Sequence, residues 1–378
     1  MNQIVIIGGG ASALMLAALL PPKSATLIEA NTKTGAKIQV SGGGKCNITN
    51  QVMDAAYYLG EEYFVQPVLD MFDEKMLLKW LEERGLTPVL RKGTQYFCPN
   101  ASKEILSIFQ KESSKQNILL GEKVISVTKK GQIFEVKTDK RVLKAEKVVV
   151  ASGGLSYPQL KASDIGYRIA EAFGHHIVKT SPALVGFTLQ PGEFFFKELS
   201  GASTEVKVTV GENVIEGSLL FAHKGISGPA VLNASLYWEK GTIEIDFLGD
   251  VDWETLRRSE KNISSLLPMP KRVTKRFLLQ LGLQDKQGKK VTSSELERLK
   301  SLCHYSFAPA GTFGYSKAEV TKGGVSTDEV NAYTMMSEKE EGLYFIGEVL
   351  DVTGRLGGYN FQWAFSTAYV CHQHLING

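Results

Sequence analysis

A chain of 378 residues with 43% hydrophobic and 22% charged residues holds enough apolar material for two or three soluble domains. Its 43 Lys and Arg face 40 Asp and Glu, a net charge of +3 with no long basic run, so neither nucleic acid nor an anionic membrane is expected as a partner. No apolar stretch approaches the roughly 18 residues that span a bilayer, no basic n-region precedes the first apolar residues, and the four cysteines form no CxxC pair, so a cytoplasmic chain without disulfides is expected.

Residues 4–7 read as a buried parallel strand that runs into Gly8, Gly9 and Gly10, and 14–20 continue with helix formers. Gly8 allows a tight strand-to-helix turn, Gly10 lets the backbone approach a pyrophosphate, and Ala13 takes the place of the third glycine of a dinucleotide fingerprint. The N-terminal N–H groups of such a helix, at Ala11 and Ser12, attract phosphate. A second strand at 25–28 ends in Glu29 and Ala30, where a carboxylate accepts ribose hydroxyls.

A loop follows, from Gly35 to Asn50, containing Lys37, Ile38 and the run Ser41-Gly42-Gly43-Gly44-Lys45-Cys46-Asn47. Consecutive glycines uncover backbone N–H groups and permit positive φ, which suits a phosphate or a flat ring. Lys45, Asn47 and Thr49 add donors at alternating positions. Apolar spacing predicts helices over 68–85 and 102–115, then a strand meander at 123–128, 133–137 and 142–144. Residues 147–151 form an apolar strand that returns to the parallel sheet and ends in Ala151, Ser152 and Gly153.

From 186 the alternation becomes that of antiparallel strands, and 253–304 are helical and charged. The sheet resumes at 342–347 and delivers Gly347, Glu348 and Asp351, after which Gly357 and Gly358 open an amphipathic helix through Asn360 and Phe361. N–H groups there suit the edge of a ring where negative charge gathers on reduction. His372 and His374 end the chain without a partner cluster, so no metal is expected.

Four segments together, IVIIGGGASA, KIQVSGGGKCNITN, VVVASGGLSYP and YFIGEVLDVTGRLGGYNFQWAFS, resemble the bacterial flavoprotein family of aminoacetone oxidase and the BaiN/YhiN-like NAD(P)/FAD-dependent oxidoreductases. LLFAHKGISGPAVLNAS and VTKGGVSTDEV lend weaker support. The resemblance implies an α/β fold with non-covalent FAD. Its Rossmann-like FAD-binding domain, of the two-dinucleotide type, is discontinuous over 1–185 and 325–378. A β-rich substrate domain follows at 186–250 and 305–324, with a helical module at 251–304. Carried over, it places Gly8, Gly10, Ala11 and Ser12 at the pyrophosphate and Glu29 and Ala30 at the ribose. Lys37, Ile38 and Gly43 to Asn47 lie along the cofactor, with Val124 at the adenine. Ala151, Ser152, Gly153, Gly347, Glu348, Asp351, Gly357, Gly358, Asn360 and Phe361 hold the remainder. Lys45 stands where the family has Arg, and LKASDIG at 160–166 replaces a GSTGDG run.

Tyr157, His223 and Lys224 are the titratable catalytic candidates in family-matching segments. A single dinucleotide fingerprint favours an oxidase of a small primary amine such as aminoacetone, with O2 as acceptor and peroxide as product. The alternatives are an NAD(P)H-dependent reductase of an unsaturated substrate, or a non-catalytic FAD protein such as an RNA-modification accessory or redox sensor. The oligomeric state is left open.

Overall fold

Ile4 to Ile7 are apolar without alternation because both faces of their strand are covered. In the computed structural model, which describes residues 2–377, β1 (Asn2–Ile7) lies between two parallel neighbours, β2 (Ala25–Glu29) and the strand Val142–Val150. Parallel pairing continues outward to Asn117–Leu120 beside β2 and to Leu343–Phe345 beside Val142–Val150. The chain divides into two compact units, the first comprising Met1–Pro182 and Glu319–Gly378, the second Ala183–Ala318. The first is a Rossmann-like α/β unit completed by the C-terminal segment.

Val142–Val150 joins the two strands expected at 142–144 and 147–151 into one. One of its edges runs along β1, and the other is shared. Val142 to Ala145 pair antiparallel with Ile133–Thr138, and Val148 to Val150 pair parallel with Leu343–Phe345. The helix expected over 68–85 is two helices, Glu62–Met71 and Glu74–Glu82. Asp73 interrupts it by capping the second, accepting from the Met76 N–H at 2.8 Å. The freed Phe72 carbonyl is satisfied by Gln362 Nε2 at 2.9 Å and Ser366 Oγ at 2.7 Å, both on the C-terminal helix Tyr359–Asn377.

In the second unit, Ser203–Val210 pairs antiparallel with Asn213–Ala222 and with Ile243–Asp246, burying alternate residues. The helices Trp253–Arg258, Lys271–Gln280 and Ser293–Lys300 bury Leu256, Val273, Phe277, Leu296 and Leu299 in the same core as Val208, Phe221, Ile245 and Phe247. The Phe247 and Phe277 ring centroids are 4.8 Å apart. Helices this short, with narrow apolar stripes, need a sheet to bury against. Among the described residues no helix is long and apolar enough to cross a membrane.

Candidate cofactor site

The carboxyl ends of the parallel strands in the first unit converge on the start of α1 (Ala11–Leu19). Gly8 adopts φ +113° and donates its N–H to the Ile28 carbonyl at 2.9 Å. A Cβ on it would lie 2.4 Å from the Ala151 carbonyl oxygen, so the two strand ends meet backbone to backbone only because no side chain intervenes. Gly10 differs. It caps α1 with φ −84°, and a Cβ there would meet nothing within 4 Å. No side chain caps α1, so its first N–H groups stand uncapped beside that open space.

Glu29 is already engaged by the protein. Its Oε2 accepts the Gly9 N–H at 2.7 Å, and its Oε1 accepts the Asn31 N–H at 2.6 Å and Asn31 Nδ2 at 2.8 Å. Three donors fix the carboxylate: two occupy Oε1, and a lone pair on Oε2 stays available. Asn31, absent from the sequence-based set, also donates to the Leu160 carbonyl at 3.0 Å, and Lys161 Nζ donates to the Ala30 carbonyl at 2.8 Å. The segment that departs from the family's pattern thus meets Ala30 and Asn31. Gly121 and Glu122 donate their N–H groups to the Asn31 and Glu29 carbonyls, which brings the strand Val124–Lys130 to the same side, with Val124 half-buried.

Beyond α1, Gly347 (φ +75°) approaches so closely that a Cβ would sit 2.7 Å from Ser12 Oγ. Ser152 Oγ is buried and has no hydrogen-bond partner among the described residues. Gly153 has φ +70°, and a Cβ on its neighbour Gly154 would strike Thr321 Oγ1 at 2.5 Å. Helix α2 (Ala36–Val40) starts at Gly35, whose N–H donates to the Gly9 carbonyl at 2.8 Å. It buries Ile38 and sends Lys37 Nζ to Glu348 Oε2 at 2.6 Å. Glu348 Oε1 accepts the Thr321 N–H at 2.9 Å, and Thr321 Oγ1 accepts the N–H groups of Leu155 and Ser156 at 2.8 and 3.1 Å. Thr321, which sequence reasoning did not single out, ties the Ala151–Gly154 turn to Glu348. Its only sequence signal was the weakly matching VTKGGVSTDEV segment.

Tyr157 is half-buried beside this group with φ +62°, a conformation costly for an aromatic residue. Burial, then the charges of Glu319 and Glu348, push its phenol up. Burial also pushes the Glu319 carboxyl up, with Lys37 and Lys92 opposing.

The glycine loop lies open: Gly43 and Gly44 have φ +64° and +84°, and a Cβ on either would meet nothing within 4 Å. Lys45 is exposed, whereas Cys46 is buried at φ +47°, its thiol pushed up by a hydrogen bond with Cys98 and by burial. Residues Asn47–Asn50 are not loop but a strand, β3. In the amide orientation that satisfies its neighbours, Asn47 accepts the Gly358 N–H at 3.2 Å. A Cβ on Gly358 would lie 2.6 Å from the Thr49 carbonyl, and Asn50 Nδ2 donates to the Gly357 carbonyl at 3.0 Å. The Asn360 side chain bonds the Gly354 N–H at 2.9 Å and carbonyl at 2.7 Å, so it closes that turn. Phe361 is half-buried and stacks on Phe365, and burial raises the Asp351 carboxyl. His223 and Lys224 lie elsewhere, on the exposed turn between Asn213–Ala222 and Gly225–Ser227 of the second unit.

An uncapped helix N-terminus at an unobstructed glycine, a carboxylate held at the end of β2, an orphaned buried hydroxyl at Ser152 and an open glycine loop suit a dinucleotide with a flat ring. The residues present fit FAD.

The model of the HI0933-like protein Rossmann domain matches residues 2–374. A ribosomal RNA dihydrouridine synthase of Escherichia coli is 38% identical, over 98% of this chain and 97% of its own. A 3-dehydro-bile acid delta(4,6)-reductase of Clostridium scindens is 31% identical, over 98% of both. In fold, the chain resembles the 3-ketosteroid delta1-dehydrogenase of Sterolibacterium denitrificans, with TM-score 0.52, 13% identity and 99% coverage of both chains.

Proposed function

This chain belongs to the HI0933-like Rossmann-domain family, and from that premise we propose that it is an FAD-dependent reductase that saturates a conjugated carbon–carbon double bond, with uridine in ribosomal RNA as its substrate. The observation that carries the reading is the end-to-end similarity, at 38% identity, to a ribosomal RNA dihydrouridine synthase. The bile acid reductase relative supports the bond type, since its name also denotes hydrogenation of a double bond conjugated to a carbonyl. The amine-oxidase reading rested on the lack of a second dinucleotide fingerprint, which is weaker support than two relatives matched over both units. The proposal also departs from the expectation of a chain without a nucleic-acid partner.

FAD, when bound, would supply the two-electron chemistry that links NAD(P)H to the β-carbon of the double bond. The protein's part is to hold the cofactor and to supply the proton that the α-carbon takes up. Gly10, Ala11 and Ser12 present the N–H groups for the pyrophosphate, and Glu29, held by Asn31, takes the ribose. Lys37, paired with Glu348, would lie along the cofactor, and the open glycines at 43 and 44 would leave room for its ring. Tyr157 Oη is the proton donor: burial, then the charges of Glu319 and Glu348, keep it protonated.

Purified protein, kept anaerobic, should lose its flavin colour on adding NADH or NADPH and should form dihydrouridine in unmodified ribosomal RNA, detected by nucleoside mass spectrometry. Tyr157→Phe should bleach at the wild-type rate yet form product about tenfold or more slowly, in the range of a lost general acid. Bleaching by aminoacetone alone, with peroxide on re-aeration, would overturn the reductase in favour of the amine oxidase.

A further inference from the structure

The charge of this chain is not evenly spread. Between residues 257 and 290 stand ten Lys or Arg and two Asp or Glu, a local net charge of +8 in a chain whose total is +3, so the rest of the sequence is net acidic. The cations are dispersed among Pro, Ser and Leu, which is why no long basic run is visible. The fold gathers them. Lys289 N–H donates to the Ser259 carbonyl and Gly288 N–H to the Lys261 carbonyl, each at 3.0 Å, so the segments bearing Arg257, Arg258 and Lys261 and those bearing Lys286, Lys289 and Lys290 run side by side. Gly288 is required for that approach, because a Cβ on it would lie 2.0 Å from the Leu256 carbonyl oxygen. Lys275 Nζ is 4.0 Å from Asp285 Oδ2, which links the helix Lys271–Gln280 to the same surface.

On that helix Lys271, Arg272, Lys275 and Arg276 share one stripe, while Val273, Phe277 and Leu278 bury the other. The arrangement works against helix stability. Like charges four apart repel, and cations in the first turn oppose the helix dipole, where this helix has no acid. Some of the charge is neutralised: Arg276 pairs with Glu198 at 2.7 Å, Lys286 with Glu295 at 2.7 Å and Lys289 with Glu260 at 2.5 Å. Arg257, Lys261, Lys271 and Lys290 are exposed and have no acidic partner among the described residues. Surplus cations that weaken their own helix are accounted for by an external polyanion.

We propose that this face of the second unit, centred on Arg257, Lys261, Lys271 and Lys290, binds the phosphate backbone of the RNA substrate. The proposal rests on the ribosomal RNA reading above and deepens it. Phosphate contacts of this kind set affinity and orientation without reading sequence, so they suit a recruiting surface.

The test is equilibrium binding of the full-length holoprotein to an unmodified ribosomal RNA fragment across a salt series. The quadruple variant Arg257→Gln, Lys261→Gln, Lys271→Gln, Lys290→Gln is compared with a control carrying Lys75→Gln, Lys79→Gln, Lys103→Gln, Lys111→Gln, four exposed lysines of the first unit. At roughly 0.7 to 0.9 per phosphate contact, the patch variant should lower the slope of log affinity against log salt by about 3, and the control by less than about 1. Flavin content and bleaching by NAD(P)H should be unchanged in both. Equal slopes for the two variants, or loss of binding to anionic phospholipid vesicles with RNA binding intact, would overturn the RNA surface. Dihydrouridine formed by the patch variant at unchanged KM would also overturn it while leaving the reductase standing. Selective loss of RNA binding, with no dihydrouridine from the wild-type protein, would leave the surface standing and refute the reductase.

Discussion

Gly8 and Gly10 stand two residues apart in one glycine turn and do different work. Gly8, at φ +113°, lies against the Ala151 carbonyl, so any side chain disturbs the junction of two strands. Gly8→Ala is expected to cost about 2 kcal/mol or more of folding stability, read as a lowered urea midpoint, because it adds backbone strain to a backbone clash. Gly10 has an ordinary φ of −84° and free space around its Cβ position. Gly10→Val should therefore keep the unfolding free energy of the FAD-free wild-type protein within about 1 kcal/mol, the range of a changed N-cap, and yet purify colourless, because the side chain occupies the space of the pyrophosphate. Retained FAD in that variant would displace the cofactor from this site. Glu29 was legible from its position at the end of β2. Asn31, which fixes it, was not, because a single Asn in a loop carries no signal until the fold shows which way its amide points.

Elements were legible where one periodicity ruled a segment and less so where tertiary partners intervened. The apolar spacing over 68–85 is continuous through Phe72, and nothing local reveals that Gln362 and Ser366 donate to the carbonyl freed where the helix breaks. The join at 142–150 was hidden for a similar reason: one strand edge serves an antiparallel partner and then a parallel one. The junction between the helix Ile165–Ala172 and the strand Ile177–Ala183 carries a testable consequence. His175 there is buried, its ring bonded through Nε2 to Ser337 Oγ at 2.7 Å. Burial, with Lys339 adding and Glu329 opposing, lowers its pKa below the ordinary 6.5. The unfolded chain then takes up a proton that the folded chain resists. Stability is fully present above pH 6.5 and is lost as pH falls from there through the lowered folded value. His372 and His374 shift the same way, again through burial. Urea titrations at about pH 7.5 and about pH 5.5 should show lower stability at the acid end, with a smaller difference in His175→Gln. An equal difference in that variant would assign the loss to other groups.

At the scale of the whole molecule, the first unit is built from both ends of the chain and keeps its own core, as does the second. The strands Ile177–Ala183 and Val320–Val325, which lead out of the first unit and back into it, form a two-stranded sheet. Replacing 183–318 with a short Gly-Ser linker should therefore leave a protein that folds cooperatively and binds FAD, measured by flavin absorbance after gel filtration, but that no longer binds RNA. A colourless or aggregated product would show that the FAD domain depends on the inserted unit. The Rossmann-like fold, its glycine turn and FAD as the cofactor were readable from the residues alone. Those features are local, since a strand, a turn and a helix start must be contiguous to present N–H groups to a phosphate. How they are held depends on contacts between distant segments. The Thr321 bridge to Glu348, the Gln362 network, the glycine-to-carbonyl contacts and the gathering of cations dispersed over 257–290 all join residues distant in sequence, and no periodicity records which distant residues a fold brings together.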